Sequence, residues 1–505
     1  MRGFYVRLRA EHNLTFPASL PCVVYLIFGV CPSSTQLLVT IDLEDNLFNG
    51  TLPDELGNVT TLIELNLEDN FFNGTIPQTW DNLTDLVEID LSENLLTGTV
   101  PLYWWNMTNL RKFRVSDMAL TGPLPTDIGF ATDLNDLALG GTDLTGTIVA
   151  ELENVTQLAK LDLGRMRALQ GTIPLFIWNM TELESLQIGG PGINGTIPTE
   201  IAFASTLEEL TLSESSITGT LPLEIANLTN IDALNISHNL LTGTIPSEIW
   251  SMPNLTNLDL SNPLMQGTLP TFIGLASDLE LLRISGTNVT GTLPLSISLL
   301  ESLEMLDLSN NNFAGTLPVS FGRMTALKEL SLESNGFTGS LPTQLASLES
   351  LELLKLSNTA MVGPLPEELC NITDIVIEIT CNETDPRSGL CGEGFGVCAA
   401  VTNCSCDGLD KNPGGSEFPS SAPSVTPGTP TNLPTSTTTS TRPTFAPTLR
   451  VTPRPTGRPT ARPTAQPTAQ PTARPTAPPT ARPTAPPTPR PTAQPTPQPT
   501  ARPTR

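Results

Sequence analysis

A glycine recurs at a nearly constant interval along most of this 505-residue chain. The interval is 24 residues, with a single step of 25. The fourteen positions are Gly50, Gly74, Gly98, Gly122, Gly146, Gly171, Gly195, Gly219, Gly243, Gly267, Gly291, Gly315, Gly339 and Gly363. Fourteen copies of one unit predict a repeat architecture, in which each unit buries its apolar side only against its neighbours.

One regular copy of the unit reads LNISHNLLTGTIPSEI and begins at Leu234. The alternation of Leu234 and Ile236 with polar residues predicts a short strand whose apolar side chains face inward. Asn239 follows the strand, where its side chain can hydrogen-bond the turning backbone, and Gly243 tolerates the conformation of the next turn. Pro246 lacks an amide donor, which excludes a central helix or strand around it.

This unit, with its GxIP or GxLP element, resembles the plant-type leucine-rich repeat, found in the ectodomains of receptor-like kinases, receptor-like proteins and polygalacturonase-inhibiting proteins. The resemblance covers about two-thirds of the chain, and we assign residues 35–366 to the repeat domain. It implies an α/β-type solenoid, right-handed and curved, with a parallel concave β-sheet, about 14 repeats of 24 residues, and a second short sheet. One such scaffold serves many ligands, so the resemblance leaves the ligand open.

The polar positions of each strand should face outward onto the concave sheet. Nine of the twelve such positions in the first three coils are carboxylates: Asp42, Glu44, Asp45, Glu64, Glu68, Asp69, Glu88, Asp90 and Glu93. Parallel stacking brings these like charges together, where they destabilise one another. The ladder invites a counter-charge such as a basic peptide or Ca²⁺, and a solvated acidic face balanced by solvent counter-ions is the alternative interpretation.

The charge changes sign in the fourth and sixth coils, where the unit also becomes irregular. Five cations enter there: Lys112, Arg114, Lys160, Arg165 and Arg167. Five glycines should leave the sheet bare in coils five to seven: Gly140, Gly141, Gly164, Gly189 and Gly190. Bare backbone beside cations, with Trp104 and Trp105 on the preceding loop, suits a glycan or a peptide carboxylate.

We therefore predict a ligand site on coils one to seven. Its predicted contact residues are Asp42, Glu44, Glu64, Glu68, Glu88, Asp90, Lys112, Arg114, Lys160 and Arg165. The conserved Asn of the unit is replaced through the middle coils by Met118, Thr142, Met166, Pro191 and Ser215. Adaptation to a ligand explains these replacements, and so does drift in a tolerant scaffold.

All eight cysteines lie outside the repeats: Cys22, Cys31, Cys370, Cys381, Cys391, Cys398, Cys404 and Cys406. Six of them within 37 residues predict a disulfide-stapled C-terminal cap, residues 367–411, with undetermined pairing and in an oxidising compartment. The spacing lacks two CxxC pairs and a nearby His, which disfavours zinc. We predict neither a metal site nor a cofactor.

Sixteen Asn-x-Ser/Thr sequons agree with secretion. Seven of them follow a repeat glycine by eight residues and are the candidate N-glycosylation sites: Asn58, Asn82, Asn106, Asn154, Asn179, Asn227 and Asn371. Near the N-terminus, Arg2, Arg7 and Arg9 precede the apolar stretch 20–31, which predicts a secretory signal peptide within residues 1–34. The alternative is a degenerate N-terminal cap, since the FGVC sequence ending at Cys31 resembles the cap of plant leucine-rich repeat proteins.

Residues 412–505 form a Pro/Thr-rich tail that approaches a four-residue repeat from Arg454 on. This composition cannot build a core and favours extended, disordered polyproline II, typical of an O-glycosylated stalk. From residue 413 on the tail carries ten Arg and one Glu, although the whole chain has a formal net charge of −26. The layout is similar to that of leucine-rich repeat extensins, without their Tyr and their Ser-Pro-Pro-Pro-Pro blocks. A cationic rod suits an anionic matrix, and a passive spacer is the alternative.

The acidic body argues against nucleic acid as a partner, and no catalytic constellation or kinase domain is apparent, so we expect no enzyme. No transmembrane segment or lipid anchor is apparent either. The sequence predicts a secreted or cell-wall-associated recognition and adhesion protein that binds an extracellular protein, peptide or polysaccharide. A soluble receptor-like or inhibitor protein that binds a protein partner is the alternative.

Overall fold

The computed structural model describes residues 4–7, 38–363, 365–372, 375–379 and 404–406. The chain divides into two units, 1–414 and 415–505, and every described residue belongs to the first. These residues form parallel strands and short 3₁₀ helices (η) that repeat in a fixed order. None of the described helices is both long enough and apolar enough to cross a membrane.

The long sheet contains seventeen parallel strands. They are β1 (Phe4–Arg7), β2 (Leu38–Asp42), β4 (Glu64–Asn66), β6 (Glu88–Asp90), β8 (Lys112–Arg114), β10 (Asp136–Ala138), β12 (Lys160–Leu163), β14 (Ser185–Ile188), β16 (Glu209–Thr211), β18 (Ala233–Asn235), β20 (Asn257–Asp259), β22 (Leu281–Arg283), β24 (Met305–Asp307), β26 (Glu329–Ser331), β28 (Leu353–Lys355), β30 (Val376–Ile379) and β31 (Cys404–Cys406).

The second row of strands is divided into a five-stranded and a nine-stranded sheet. The first holds β3 (Asn49–Thr51), β5 (Phe71–Thr75), β7 (Leu95–Thr99), β9 (Ala119–Pro123) and β11 (Asp143–Thr145). The other holds β13 (Gln170–Thr172), β15 (Gly192–Thr196), β17 (Ser216–Thr220), β19 (Leu240–Gly243), β21 (Leu264–Thr268), β23 (Asn288–Gly291), β25 (Asn312–Gly315), β27 (Gly336–Gly339) and β29 (Ala360–Met361).

A 3₁₀ helix completes each coil. The fourteen are η1 (Asp54–Asn58), η2 (Gln78–Asn82), η3 (Leu102–Asn106), η4 (Thr126–Phe130), η5 (Ala150–Asn154), η6 (Leu175–Asn179), η7 (Thr199–Phe203), η8 (Leu223–Asn227), η9 (Ser247–Ser251), η10 (Thr271–Leu275), η11 (Leu295–Leu299), η12 (Val319–Arg323), η13 (Thr343–Ser347) and η14 (Glu367–Asn371). We number the coils from β2, so that coil 1 holds β2, β3 and η1, and coil 14 holds β28, β29 and η14. The leucine-rich repeat solenoid and its second sheet are thereby confirmed.

The core is one continuous cluster of apolar side chains that runs through all the coils. Neighbouring strands pair in register, so that Leu210 lies beside Leu234 and Leu234 beside Leu258, and all three are buried. The middle residue of each 3₁₀ helix, such as Ile225 in η8, closes the core from the opposite side. Each coil therefore depends on its neighbours for burial, as the repeat period predicted.

The 3₁₀ helices were not predicted from the sequence. Thirteen of the fourteen begin directly after a proline, whose fixed φ suits the position before a helix. In coil 5 Val149 replaces the proline and adopts nearly the same backbone angles, φ −77° and ψ 142°, as Pro222 with φ −72° and ψ 148°. The proline therefore favours this conformation but is not required for it.

Buried asparagines join successive coils by hydrogen bonds. The Asn70 Nδ2 donates to the carbonyl oxygens of Leu43 at 2.8 Å and Leu67 at 3.1 Å, and its Oδ1 accepts from the Phe48 amide at 3.0 Å. Coil 10 has Pro263 at the corresponding position, and the preceding residue, Asn262, replaces it in this ladder. Its Nδ2 donates to the Ile236 carbonyl at 3.0 Å, and its Oδ1 accepts from the Asn239 amide at 2.9 Å.

The turns use the left-handed backbone region at two positions of each regular coil. Gly243 has φ 83°, as its role in the unit predicted. The residue before the ladder asparagine also adopts positive φ, for example 55° at His238 and 54° at Glu93. Positive φ at this second position could not be predicted from the sequence, because residues other than glycine occupy it in most coils.

The 25-residue unit interrupts the second row of strands. Its extra residue lies between Met166 and Gly171, and here β11 and β13 are joined only by an isolated bridge from Gly146 to Leu169. The bridge keeps one backbone hydrogen bond, from the Gln170 amide to the Gly146 carbonyl at 2.8 Å. The irregularity in the sequence therefore becomes a break in the sheet at coils 5 and 6.

The long sheet continues beyond the repeat domain at both ends. Phe4–Arg7 pairs in parallel with Leu38–Asp42, and Cys404–Cys406 pairs with Val376–Ile379. Most of residues 1–34, most of the Cys-rich segment and the whole tail lie outside the described residues. The signal peptide, the disulfides and the disordered stalk therefore stay predictions.

Candidate functional site

The strand register arranges the outward residues of the long sheet in rows that run from coil to coil. One row is Thr40, Glu64, Glu88, Lys112, Asp136, Lys160, Ser185 and Glu209. The next row is Asp42, Asn66, Asp90, Arg114, Ala138, Asp162, Gln187 and Thr211. The rows bring carboxylates and cations of different coils to adjacent positions on one face.

Neutral donors moderate the acidic ladder of coils 1–3. The Thr40 hydroxyl donates to the Glu64 carboxylate at 3.1 Å, and the Asn66 Nδ2 donates to Glu44 at 3.1 Å. Burial raises the pKa of Glu68, and the carboxylates of Asp90 and Glu44 raise it further. Among the described residues, no three carboxylate, His or Cys side chains converge where they would hold a metal ion, so this geometry does not support a Ca²⁺ site.

Three of the predicted ligand-binding cations form ion pairs within the protein. The Lys112 Nζ lies 3.2 Å from Asp90, and the Arg165 Nη2 lies 2.7 Å from Asp117. Arg114 holds Asp136 through two nitrogens, with Nη2 at 2.6 Å from Oδ2 and Nε at 3.2 Å from Oδ1. This hydrogen bond raises the Arg114 pKa above its ordinary value.

Lys160 differs from these three cations. Its side chain is exposed and makes no ion pair or hydrogen bond with any residue that the structure describes. It lies between Asp136 and Ser185 in its row, on the strand next to the Arg114–Asp136 pair. Lys160 is therefore a cation free to engage a ligand.

A groove of about 290 Å³, the sheet groove, opens on the face of the long sheet at coils 2–8. Its charged lining residues are Glu68, Glu93, Arg114, Asp117, Asp136, Lys160, Asp162 and Glu209. Six of these are carboxylates and two are cations, so the groove is acidic overall. Ser116, whose buried hydroxyl has no hydrogen-bond partner among the described residues, also lines it.

A larger groove of about 580 Å³, the loop groove, adjoins the sheet groove where the strands end. Both share Asp117. Its lining combines apolar residues with charges: Asn94, Leu95, Asp117, Met118, Ala119, Gly141, Asp143, Arg165, Arg167, Gly190, Pro191 and Glu214. Together the two grooves can accept an extended chain that has charged groups on one side and apolar groups on the other.

The structure brings together only part of the predicted site. Of the ten predicted residues, Glu68, Arg114 and Lys160 line the sheet groove and Arg165 lines the loop groove. Lys112 and Asp90 are used in their mutual ion pair. Asp42, Glu44, Glu64 and Glu88 lie on coils 1–3 and line neither of these two grooves.

The sequence analysis missed the carboxylates of coils 5–8 that line the grooves. They are Asp136, Asp143, Asp162, Glu209 and Glu214. Asp136, Asp162 and Glu209 occupy the same outward strand positions as the carboxylates of coils 1–3, so the repeat pattern contained the signal. The prediction rested on the glycines and cations of the same coils instead of these carboxylates.

The prediction that glycines leave the sheet bare is wrong. The Asp162 carboxylate occupies the space over Gly140, within 2.6 Å of an ideal Cβ position, and the Asp117 carboxylate lies 2.2 Å from the corresponding position on Gly141. At Gly190 the Met166 carbonyl takes the space. These glycines admit neighbouring groups, two of them negative, and so add to the acidity of the grooves.

Trp104 and Trp105 do not reach a ligand surface either. Both lie in η3, are completely buried, and pack against Phe113 with ring centroids 5.7 and 5.1 Å apart. Trp104 also meets Trp80 edge to face. Their position in the unit, within the segment that closes each coil, explains their burial, so the expected glycan platform is not present there.

Ionisation of Asp162 should destabilise the fold, and the pH dependence of stability tests this. Burial raises its pKa, although the Gly164 amide, which donates to Oδ1 at 2.8 Å, and Arg165 lower it. With the folded-state pKa above the unfolded value of about 3.9, ionised Asp162 destabilises the fold at pH values above both. Asp162→Asn keeps an acceptor for the Gly164 amide and removes the charge.

We expect Asp162→Asn to unfold at higher urea concentration than the parent at pH 7. The difference should shrink as pH falls through the raised pKa of Asp162, because the parent then carries a neutral carboxyl too. Urea unfolding at a series of pH values between 3 and 7 measures this. Asp133→Asn, at an exposed position, controls for the change in net charge. An equal response of both variants would refute the assignment to Asp162.

Six of the seven candidate glycosylation sites have described side chains, and they form one exposed row. Asn58, Asn82, Asn106, Asn154, Asn179 and Asn227 are each the last residue of a 3₁₀ helix. Asn371 ends η14 in the same way. We call the surface formed by the 3₁₀ helices the flank. None of these asparagines lines either groove.

Comparison with known proteins identifies the repeat. A family model for the leucine rich repeat matches residues 205–264 and 301–361, and a second such model matches residues 61–83. The solved leucine-rich repeat protein LIC12759 of Leptospira interrogans is 30% identical, with a TM-score of 0.55, and the match covers 67% of this chain and 83% of that one. This chain belongs to the leucine-rich repeat family.

Plant receptors resemble this leucine-rich repeat protein to the same degree. The plant peptide hormone receptor RGFR1, solved in complex with RGF2, is 30% identical over 68% of this chain and 56% of its own, with a TM-score of 0.60. The ectodomain of the receptor kinase GASSHO1/SCHENGEN3 from Arabidopsis thaliana is 29% identical over 68% of this chain and 45% of its own, with a TM-score of 0.60. The repeats are thus of the plant type.

The matched part of this leucine-rich repeat protein spans about half the length of these two receptor chains. A comparison with curated protein sequences found no match.

Proposed function

We propose that this protein is an extracellular recognition protein that binds a basic peptide, or a basic segment of a partner protein, along the sheet groove and the loop groove. The observation that carries the proposal is the charge of the sheet groove, where six carboxylates surround only two cations. A basic ligand supplies the missing positive charge. RGFR1 is a plant peptide hormone receptor, which supports a peptide as the ligand class.

Within this proposal the cations set the orientation of the ligand. Arg114 is committed to Asp136 through its two nitrogens, so its main role is to fix that carboxylate. Lys160 has no partner among the described residues and is free to bind a ligand carboxylate. The ligand would therefore be basic along most of its length, with one acidic group or a C-terminal carboxylate opposite Lys160.

A peptide array on the purified chain identifies candidate ligands, and variants of the groove test the mode of binding. Glu209→Gln should weaken binding of a basic peptide severalfold, with an effect that fades at high salt, because exposed charge pairs are screened. Lys160→Ala should lower the affinity only for those peptides that carry an acidic group. Arg114→Ala is a poorer probe, because it also leaves Asp136 without its partner.

Lys328→Ala is the matched control for Lys160→Ala. Lys328 is exposed like Lys160 but lies in coil 12, 2.7 Å from Glu304 and outside both grooves. It should leave peptide binding unchanged. Equal affinities for the parent, Lys160→Ala and Glu209→Gln would refute this placement of the ligand.

We further propose that the flank carries N-linked glycans at Asn58, Asn82, Asn106, Asn154, Asn179 and Asn227. Their shared exposed position supports the proposal, and glycans there leave both grooves accessible. Asn235 also has a sequon, but it lies in a long-sheet strand and its Oδ1 accepts from the Ser237 amide and hydroxyl, so we expect it to stay unmodified. Mass-spectrometric site mapping after enzymatic deglycosylation distinguishes the two groups.

The second candidate function is matrix adhesion, with the grooves for the ligand and residues 412–505 as an attaching stalk. The ten Arg from residue 413 on favour it, because they oppose the charge of an acidic polysaccharide or a mineral surface. A reporter fused to this tail should stay in the extracellular matrix until high salt releases it. Free diffusion of the reporter at low salt would exclude the stalk and favour the soluble receptor-like or inhibitor protein.

A further inference from the structure

Coils 10–12 expose a cluster of large apolar side chains on the flank. Phe272 and Leu275 belong to η10, Leu295 and Leu299 to η11, and Val319 to η12. Between 45% and 72% of each side chain is exposed, with Leu295 the most exposed. We call these five residues the apolar patch.

The patch is continuous across the coil boundary. An ideal Cβ on Gly274 would lie 2.9 Å from the Leu299 Cδ1 and 2.7 Å from the Ser296 carbonyl oxygen. The absence of a side chain at Gly274 therefore lets η11 approach η10, with Leu299 lying over the glycine. Contiguous exposed apolar surface of this kind marks an interaction site far more often than single exposed residues do.

The rest of the flank is different in two respects. Its exposed large apolar residues occur one to a coil, at Leu102, Phe130, Leu175, Phe203 and Leu223. Eight of the 3₁₀ helices contain Asp or Glu; the six that contain neither are η3, η6 and the consecutive run η10–η13. The row of candidate glycosylation sites has its longest interruption here, from η9 to η13, where its positions include Leu275, Leu299 and Arg323.

Opposite charges stand at the two ends of the patch. Arg323 ends η12, is exposed, and forms no ion pair with any residue in the described part of the chain. Asp278 follows η10 by three residues and is also exposed. The coil 12 end of the patch thus carries a cation and the coil 10 end a carboxylate, with a further exposed carboxylate, Glu301, two residues after η11.

This arrangement is self-complementary, and we propose that the apolar patch binds a second copy of this chain. In an antiparallel two-fold arrangement centred on coil 11, coil 12 of one copy lies over coil 10 of the other, and each Arg323 meets an Asp278 of the other copy. The net charge of −26 makes most other pairs of surfaces repel each other. The run of four consecutive acid-free helices, η10–η13, is where two copies can approach.

Sedimentation velocity of the full chain over a range of concentrations tests this proposal. The parent should pass reversibly from one chain to two as its concentration rises. Leu295→Glu should weaken this association at least tenfold, because it places a carboxylate of each copy in the apolar contact. The fold tolerates an acid there, since the corresponding first position of a 3₁₀ helix is Asp54 in coil 1 and Glu367 in coil 14.

Leu223→Glu is the matched control. Leu223 is the first residue of η8, is 60% exposed against 72% for Leu295, and lies outside the patch. It should leave the association unchanged. A parent that stays a single chain at every concentration, or an equal loss in both variants, would overturn the proposal.

A charge reversal tests the antiparallel arrangement separately. Arg323→Glu should weaken the association, because it faces Asp278 of the other copy with a like charge. Adding Asp278→Arg to the same chain should restore the parent's affinity, since each contact is then an opposite-charge pair again. Failure of the double variant to associate better than Arg323→Glu alone would overturn the antiparallel pairing.

Discussion

Asn239→Leu should lower the free energy of unfolding by about 3 kcal/mol. The Asn239 Nδ2 donates to the carbonyls of Leu212 at 2.6 Å and Ile236 and Ser237 at 3.1 Å, and its Oδ1 accepts from the Ile217 amide at 3.2 Å. Leu has a similar volume but no polar atoms. Four backbone groups would lose a partner, and leaving a buried group unsatisfied costs about 1–3 kcal/mol.

Urea unfolding of the parent and the variant measures this loss. Asn109→Leu is the control, because Asn109 is exposed and makes one side-chain hydrogen bond within the described part of the chain, to the Thr84 carbonyl at 3.3 Å. It should change stability by less than about 0.5 kcal/mol. If both variants lose the same small amount, the asparagine ladder does not stabilise the coils as we infer.

Gly190→Ala should be comparably destabilising, by about 3 kcal/mol, for a different reason. Gly190 has φ 149°, and an ideal Cβ there would lie 2.0 Å from the Met166 carbonyl oxygen of the preceding coil. The backbone has to move apart, and such displacement costs on the order of 1–3 kcal/mol beyond the strain of the conformation itself. Because Gly190 lines the loop groove, the same movement should also weaken ligand binding.

Gly146→Ala separates the two contributions. Gly146 also has a positive φ, 93°, but nothing lies within 4 Å of its ideal Cβ position. It should cost only the conformational strain, about 1–2 kcal/mol. Thermal unfolding of both variants compares their stabilities. If the Gly190→Ala variant is as stable as the Gly146→Ala variant, the close approach of the Met166 carbonyl does not contribute to the loss.

The period of the glycines was enough to predict the solenoid. A 24-residue spacing with alternating apolar residues leaves one way to bury those residues, which is to stack each coil on the next. Leu234 and its neighbours in register therefore lie where the pattern places them. The outward direction of Asp90, Arg114 and Lys160 follows from the same alternation along each strand.

The repeat pattern did not predict which side chains these outward residues contact. Which carboxylate meets Arg114 depends on side-chain reach between strands, and the structure gives Asp136, whereas Lys160 has no described partner. Whether the backbone at Gly140 is open likewise depends on the neighbouring coil, and the Asp162 carboxylate fills the space above it. In coils 5–7 the structure therefore has carboxylates where the pattern predicted bare backbone beside cations.

For this protein the sequence by itself determined the fold, the order of the coils and the direction of each strand residue, because all three follow from local periodicity. Only the tertiary structure decided which coils form the grooves, which predicted contact cation has no described partner, and where apolar residues of η10 and η11 join into one patch. These features arise from contacts between adjacent coils, whose residues are about 24 positions apart. A repeat pattern describes what all coils have in common and does not specify the contacts that individual side chains make with the next coil.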